Sequence, residues 1–506
     1  MEDRNGEPSS QSCTEPDDAA LDPGYTEPDD ATLDPEGRDL PSTSLASAAT
    51  AQPTSAIPRH DSLAEIWALA WPVMASQVLL NAVGLVDIAM VGRLGSRSVA
   101  AVGYASQFFH LSQSVLFGIG FATVALMARA IGAGDPLRAR HALAAALAVS
   151  VGTAILLCAA ILSAPATLLR GLGAEPAVTA AAVPYLQLVV GSSLLLAVGM
   201  TLEFALRADR DSRTPMWIAL AVTAVKIAGN AVLIFGAGPF PALELVGAGL
   251  ATLLSQVVGL LLFVTVVVRS SGDSPLALSW RDFAACRPLV PEVLRLTGPG
   301  VGERLANTLS LLAYFRVLSE YGSLAIATYT VGIRLLAFTW IPGVAFGAAA
   351  STLVGQALGA EERDAAVRAG WRTTGLALGV ALTLGALCLL MPRPLAALFT
   401  DDLALQEALV PFLVVLALAQ PALQSHFALG GAHRGAGDTF TPFVASTLGN
   451  WAIRVPLAAW LAFSWHAPVL WIWIVILADH SVRSGWLALS FSRGVKTLHP
   501  RHALGS

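Results

Sequence analysis

The chain has 506 residues, of which 55% are hydrophobic and only 13% are charged, and its formal net charge is −5. Ordinary globular domains carry about 25% charged residues, so this composition excludes a string of soluble domains, and no nucleic-acid partner is expected. Apolar stretches repeatedly exceed the roughly 20 residues that cross a bilayer, which predicts a polytopic membrane protein in contact with lipid.

The first 58 residues differ from the rest of the chain. They contain thirteen acidic and only two basic residues, so the remainder of the chain carries a net positive charge. Residues 1–58 are also rich in Pro, Asp and Ser and poor in aromatic residues, which is typical of a disordered tail. They contain no apolar segment of the kind found in a secretory signal peptide.

The rest of the chain contains twelve apolar segments, each long enough for a membrane-spanning helix. A first lobe, residues 59–269, has predicted spans over 63–92, 99–131, 140–164, 178–206, 216–237 and 243–269. A second lobe, residues 292–490, has predicted spans over 292–318, 325–358, 368–391, 405–432, 441–463 and 467–490. Residues 270–291 are interpreted as the linker between the lobes, and residues 491–506 as a second tail.

The two lobes repeat each other at a constant distance of 227 residues along the chain. Several glycines, prolines and charged residues of the first lobe recur at this distance in the second: Pro72 and Pro299, Gly95 and Gly322, Gly132 and Gly359, Arg207 and Arg434, Asp211 and Asp438, Pro215 and Pro442. Six spans per lobe is an even number, so both lobes enter the membrane from the same side. The sequence therefore predicts two parallel six-helix repeats, an arrangement found in transporters.

The orientation follows from the basic residues in the short connecting segments. Seventeen arginines and lysines lie at one set of ends, and only four at the opposite set: Arg93, Arg97, Arg170 and Arg393. This bias predicts that both termini and the 270–291 linker face the cytoplasm, in a multi-pass protein of the cell inner (plasma) membrane.

Several motifs recur in order along the spans. The first span ends with VDIAMVGRLG at Val86–Gly95, and GAGD follows the second span at Gly132–Asp135. The sixth span contains GAGLATLLSQ at Gly247–Gln256. RADRDSRTP at Arg207–Pro215 is echoed by RGAGDTFTP at Arg434–Pro442. Together these motifs resemble the MATE (multidrug and toxic compound extrusion) family, most closely its DNA-damage-inducible-protein-F-like branch, over about residues 60–490.

This resemblance implies a secondary active antiporter. Such proteins export amphipathic, often cationic, small molecules in exchange for protons or sodium ions, through a cavity that opens alternately to the two sides of the membrane. They use no ATP and need no cofactor, and this chain contains no GxxxxGK loop. We expect it to act as a monomer.

Asp87 in the first span is the leading candidate for cation coupling. A charge inside a span costs about 2.5–3.5 kcal/mol on insertion scales, so it is a functional candidate by default. The resemblance places a coupling carboxylate here, with Asn230 of the fifth span and Thr252 of the sixth in the same site. Lys226 lies one turn before Asn230 and is predicted to pair with Asp87. A lysine in this position favours protons over sodium, and the structural alternative is a pairing of Asp87 with Arg93.

In the second lobe, Glu303 and Arg304 of the seventh span are predicted to face the substrate cavity. The resemblance to another branch of the family places a coupling acid at the position of Asn307, so this lobe lacks the expected acid there. A purely structural pair between Glu303 and an arginine remains an open alternative.

Three other functions are alternatives for a chain of this composition. The first is a flippase for lipid-linked intermediates, from the same wider superfamily, which is expected to have additional spans and a strongly cationic cavity. The second, a major-facilitator transporter, has a different motif between its second and third spans. The third, a membrane-embedded enzyme, lacks support because no paired acids, nucleophile motif or metal-ligand spacing is found, and Cys13, Cys158, Cys286 and Cys388 form no CxxC motif.

Overall fold

A computed structural model describes residues 62–236 and 241–497 of the chain. Nearly all of this part is helical, and no β-strand occurs in it. The predicted tail over residues 1–58 and the last residues of the C-terminal tail lie outside the described residues.

Twelve spanning helices follow one another in two sets of six. The first set comprises α1 Leu63–Gly92, α2 Ser96–Gly132, α3 Pro136–Leu162, α4 Pro176–Ala208, α5 Arg213–Phe235 and α6 Glu244–Arg269. In the second set, α7 is Val290–Leu318, α8 is Gly322–Thr339 continued by Ile341–Gly359, α9 is Arg363–Leu390 and α10 is Leu403–Gly435. α11 consists of Phe440–Leu448, a π-helical turn Gly449–Arg454 and Val455–Phe463, and α12 is Val469–Thr497.

By length and hydropathy alone, ten helices in the described ranges qualify as membrane spans. The number is ten because α7 and α8 form one continuous helical run, Arg287–Gly359, and because the π-helical turn divides α11 into short pieces. α12 continues to Thr497, beyond the predicted end of the last span at residue 490.

The repeat is visible in the turns between helices. Gly95 and Gly322 occupy the turns before α2 and α8, and both have positive φ, 98° and 80°. Glycine adopts this conformation without the steric cost that a side chain would add. The N-cap residues of α1 and α3 are Ser62 and Asp135. Their side chains accept hydrogen bonds from backbone N–H groups of the first turn, at 3.1 and 2.8 Å.

The segment between the lobes is ordered where it was predicted to be a linker. It contains a short helix, Trp280–Ala285, whose first turn is closed by a reciprocal pair of hydrogen bonds between Ser279 and Asp282. Asp282 Oδ1 also lies 3.5 Å from His141 Nε2 of α3. The connection between the lobes is therefore held against the first lobe.

The two lobes touch at their arginine-rich ends through a reciprocal contact between α2 and α8. A side chain on Gly132 would overlap the carbonyl oxygen of Gln356, and one on Gly359 would overlap that of Arg129. Gly132 and Gly359 are related by the 227-residue repeat, as are Arg129 and Gln356. The pseudo-twofold axis of the repeat therefore passes between these two glycines, and only glycine lets the two backbones approach this closely.

Four hydrogen bonds between the lobes surround this contact. Arg129 donates to the carbonyl of Ala436, and its repeat counterpart Gln356 donates from Nε2 to the carbonyl of Ala208, at 2.7 Å. Gln356 Oε1 also accepts from Arg210 Nε at 2.5 Å, and Thr352 Oγ1 donates to the carbonyl of Arg207 at 2.9 Å. We call this set of contacts the inter-lobe seal.

α2 and α7 cross near their midpoints. Gly300 of α7 lies against Gly118 of α2, where an added Cβ would be 3.3 Å from the Gly118 Cα. Beyond this crossing, towards the arginine-poor side, the α7 side chains Leu305, Leu309 and Leu312 are exposed. We call the space between the lobes on this side of the crossing, where Arg304 lies against Phe117, the inter-lobe cleft.

Candidate cation-coupling site

Asp87, Lys226 and Asn230 form one cluster between α1 and α5. Lys226 Nζ contacts Asp87 Oδ2, and Asn230 Nδ2 donates to Asp87 Oδ1 at 2.6 Å. The Asp87 and Lys226 side chains are 24% and 20% exposed, so a small ion can reach them. Lys226 and Asn230 are four residues apart on α5, so both project from the same helix face towards Asp87.

Asn230 leaves one acceptor unused beside this carboxylate. Its side chain is buried, and its Oδ1 atom has no hydrogen-bond partner among the described residues. A buried polar atom without a partner costs about 1–3 kcal/mol, so a donor brought next to Asn230 would be stabilised.

Two other residues, Thr252 and Arg93, form no hydrogen bond or ion pair with Asp87 among the described residues. Thr252 is buried in α6, and its hydroxyl donates to the carbonyl of Ala248 at 2.9 Å. The described hydrogen bonds do not join Thr252 to Asp87. Arg93 lies against the ring of Phe235, with its guanidinium carbon 5.9 Å from the centroid, and forms no described ion pair with Asp87.

In the second lobe, Glu303 is engaged on both carboxylate oxygens. Arg434 Nη2 donates to Oε2 at 2.7 Å, and Ser446 Oγ donates to Oε1 at 3.0 Å. Glu303 and Arg434 are each largely buried. This matches the structural alternative of a Glu303–arginine pair, and the partner is Arg434 at the end of α10.

Asn307 belongs to a polar pair that repeats the one in the first lobe. Asn450 Nδ2 donates to Asn307 Oδ1 at 2.5 Å, and the two residues are 143 positions apart, as Asp87 and Asn230 are. In this pair the accepting residue is Asn307, whereas in the first lobe the accepting residue is Asp87. The sequence contains this equal spacing, but the 227-residue repeat does not reveal it, because these pairs are 220 residues apart.

The carboxylate of the second-lobe network is Asp479 on α12. Its side chain is fully buried between Arg454 Nη2, at 2.5 Å from Oδ2, and Arg483 Nε, at 2.6 Å from Oδ1. Arg483 Nη2 also donates to Asn450 Oδ1 at 2.6 Å. The π-helical turn of α11 contains Asn450 and Arg454, so this irregular turn aims both residues at α12. The i, i+4 spacing of Asp479 and Arg483 along α12 predicts that these two residues pair, whereas no spacing indicates Arg454 as the second partner.

Arg304 projects from the middle of α7 towards the first lobe. Its guanidinium carbon lies 4.8 Å from the centroid of Phe117, a residue of α2. Arg304 is exposed, and its guanidinium forms no hydrogen bond or ion pair with any residue in the described ranges. It is one turn beyond the Gly118–Gly300 crossing, so it stands at the base of the inter-lobe cleft.

A family model matches both halves of the chain. The model is described as MatE, and it matches residues 72–232 and 299–460, one copy per lobe.

Curated relatives and solved structures agree with this match. The chain is 27% identical over 440 residues to the probable multidrug resistance protein NorM of Thermotoga maritima, covering 85% of this chain and 92% of that protein. It is 30% identical to the probable multidrug resistance protein NorM of Bradyrhizobium diazoefficiens, covering 87% and 96%. Its fold is similar to a crystal structure of MATE in the bent conformation, with a TM-score of 0.81 and 22% identity over 88% and 98% of the chains.

Proposed function

The chain belongs to the MatE family of multi-pass membrane transporters, and from this premise we propose that it exports amphipathic compounds, cationic ones among them, in exchange for protons. Asp87 is the coupling carboxylate in this proposal. The single observation that carries it is the contact of Asp87 with both Lys226 and Asn230 at an accessible place inside a span.

The cluster offers Asp87 a partner both when it is ionised and when it is protonated. Ionised Asp87 is stabilised by the ammonium of Lys226 and the amide of Asn230. Protonated Asp87 gives up the ion pair, and its new O–H group can donate to the unused Oδ1 of Asn230. A change of solvent access then shifts the balance between the two states, which is what proton-coupled exchange requires.

Sodium fits the cluster less well than a proton. Sodium ions bind several oxygen ligands, whereas the groups that point at Asp87 are an ammonium and an amide N–H. The positive charge of Lys226 repels a bound cation, and this repulsion would end only if Lys226 lost its proton. We therefore propose protons as the coupling ion.

The inter-lobe seal is the closed gate of this cycle. If the arginine-rich side faces the cytoplasm, as the distribution of basic residues indicates, the cleft above the Gly118–Gly300 crossing opens outward. Rocking of one lobe against the other about this crossing would open the arginine-rich side for loading. The coupling cluster and the cleft lie within one chain, so we propose a functional monomer in the plasma membrane with both termini in the cytoplasm.

The flippase alternative is weaker for two reasons. Residues 62–236 and 241–497 contain twelve spanning helices and none of the additional spans expected of a flippase, and the MatE model matches each half. The excess of arginine in the second lobe is the feature that a flippase would share.

Transport by purified protein in proteoliposomes tests the proposal. An imposed pH gradient should drive uptake of a fluorescent cation such as ethidium, whereas a sodium gradient at constant pH should not. Asp87→Asn should remove the gradient-driven component by about tenfold or more, because it leaves no group to carry the proton. The matched control is Glu320→Gln, which removes an exposed carboxylate at the end of α7. Equal transport by Asp87→Asn and wild type would reject Asp87 as the coupling group.

A further inference from the structure

We infer that Arg304 binds an anionic group of the transported substrate, so that the cargo is an amphiphile carrying a carboxylate, sulfonate or phosphate. This inference deepens the proposed function and rests on it for the direction of transport, but not for binding. It makes Arg304 a residue that determines specificity.

The first argument is the placement of the charge. Arg304 is midway between the ends of α7, Val290 and Leu318. A cation at this depth is costly, and such residues face a cavity or pair with an acid. Arg304 contacts Phe117 of the other lobe, so it faces the cleft and not lipid.

The second argument is that the nearby acids are already occupied. Both oxygens of Glu303 accept hydrogen bonds from Arg434 and Ser446. Asp479 is enclosed by Arg454 and Arg483 in the core of the second lobe. Arg304 therefore forms no ion pair or hydrogen bond with a carboxylate within the described ranges, and the ring of Phe117 is its close contact.

The third argument is the charge of the lobe as a whole. Away from the helix ends, the second lobe contains two acids, Glu303 and Asp479, and four arginines: Arg304, Arg334, Arg454 and Arg483. In the first lobe, Asp87 pairs with Lys226 and Glu203 pairs with Arg207, so these charges balance. The cleft is therefore bordered on one side by a cationic lobe, which attracts an anionic group of a ligand.

The geometry of Arg304 suits this role. Its guanidinium lies over the Phe117 ring with a separation of 4.8 Å, which uses the flat face of the group for stacking. The in-plane N–H donors remain available, and they form a fork that matches the two oxygens of a carboxylate or phosphate. Phe117 and the exposed leucines of α7 supply an apolar surface for the rest of the molecule.

A matched pair of dyes tests the inference on the full-length protein in nanodiscs of phosphatidylcholine. Rhodamine 110 has a free carboxylate, and rhodamine 123 is its cationic methyl ester. Fluorescence anisotropy should show tighter binding of rhodamine 110 to the wild type. Arg304→Gln should weaken rhodamine 110 binding roughly 10- to 100-fold, as expected for loss of a charged hydrogen bond, and should leave rhodamine 123 binding unchanged or improved.

Two further variants separate recognition from folding. Arg304→Lys should retain most of the preference for the acid, because it keeps the charge. Arg316→Gln, at the exposed end of the same helix and paired with Glu320, should change neither dye. Equal weakening of both dyes by Arg304→Gln, or failure of the wild type to bind or prefer rhodamine 110, would overturn the inference.

Phosphatidylglycerol added to the nanodiscs identifies the source of the anionic group. Unchanged rhodamine 110 binding supports a soluble substrate, whereas full competition would assign the site to a lipid headgroup and overturn a role in cargo binding. Binding is measured without any gradient. A protein that binds rhodamine 110 through Arg304 but does not respond to a pH gradient would therefore refute the proposed coupling and leave this inference intact.

Discussion

At the scale of single residues, the Asp87–Lys226 contact is the feature on which the coupling proposal depends. Neither residue is placed in the span by helix propensity or packing, because each carries a charge into an apolar segment. Their contact reduces the cost that either charge alone would have in the membrane. The two charges should therefore be energetically coupled, and this coupling can be measured separately from transport.

We predict that Asp87→Asn and Lys226→Met each lower the thermal stability of the purified protein, and that the double variant recovers part of the loss. The expected coupling energy is about 1–3 kcal/mol, since each single change leaves one charge without its partner. Thermal unfolding in detergent is the measurement. Additive losses would contradict the ion pair, and a double variant that is stable but inactive would show that the pair does more than hold the helices together.

A second residue-scale prediction concerns Asp209, in the turn between α4 and α5. Burial raises the pKa of this carboxyl to about 6, and the negative charge of Asp211 adds to the effect while Arg210 opposes it. Folding therefore favours the protonated form, so the contribution of Asp209 to stability is complete below about pH 4 and is lost as the pH rises to about 6.

Asp209→Asn should flatten this part of the profile and should raise the stability at pH 7 by about 1 kcal/mol. The measurement is the melting temperature at a series of pH values between 4 and 8. A profile with the same decline as the wild type would show that Asp209 does not titrate in this range.

At the scale of helices, the π-helical turn of α11 is the clearest departure from regular structure. One extra residue in the turn directs Asn450 and Arg454 together towards α12. Gly449 starts the turn, and a side chain there would overlap Asp479 Oδ1 and Arg483 Nε. The glycine is therefore required by the ion network that packs against it, and not by its own backbone angles.

Gly449→Ala should destabilise the protein by about 2–4 kcal/mol, because the added methyl group displaces a buried, doubly paired carboxylate. Thermal unfolding is again the measurement. Gly379→Ala is the matched control, since Gly379 is in the middle of α9 with open space around it. That change should be neutral or slightly stabilising, as alanine is a better helix former. Equal melting temperatures for the two variants would contradict the close packing of α11 on α12.

At the scale of the whole molecule, the two lobes are joined most closely at the inter-lobe seal. The contacts there are glycine backbones and a few hydrogen bonds to carbonyl groups, and not a large apolar surface. Such an interface can separate at a moderate cost, because water can replace the hydrogen bonds that are lost. This suits a gate that must open and close in each transport cycle.

Gln356→Ala should increase the fraction of molecules with an open seal, because it removes the hydrogen bonds to Ala208 and Arg210. A cysteine introduced at Thr352, which is buried against the carbonyl of Arg207 in the other lobe, reports on this opening in a background without other cysteines. Its labelling by a maleimide should become roughly 3- to 10-fold faster, equivalent to about 1 kcal/mol. Asp364→Cys, which is exposed beside the seal, should be labelled at the same rate in both backgrounds. Unchanged labelling of the Thr352 cysteine would contradict the role of Gln356 in the seal.

The sequence by itself determined the all-helical membrane class, the twelve spans in two parallel repeats, and the family. These features depend on the length of the apolar segments, on the 227-residue repeat and on ordered motifs, all of which are visible in the order of residues along the chain. The sequence also predicts the Asp87–Lys226 and Asp479–Arg483 pairs, but only the tertiary structure decided the other contacts between distant residues. Three such contacts are those of Arg434 with Glu303, Arg454 with Asp479, and Gly132 with Gln356. The two members of each contact lie on different helices, and no spacing along the chain indicates that they meet. Burial in a membrane makes the energy of a charge depend on its neighbours in space, and those neighbours are set by helix packing.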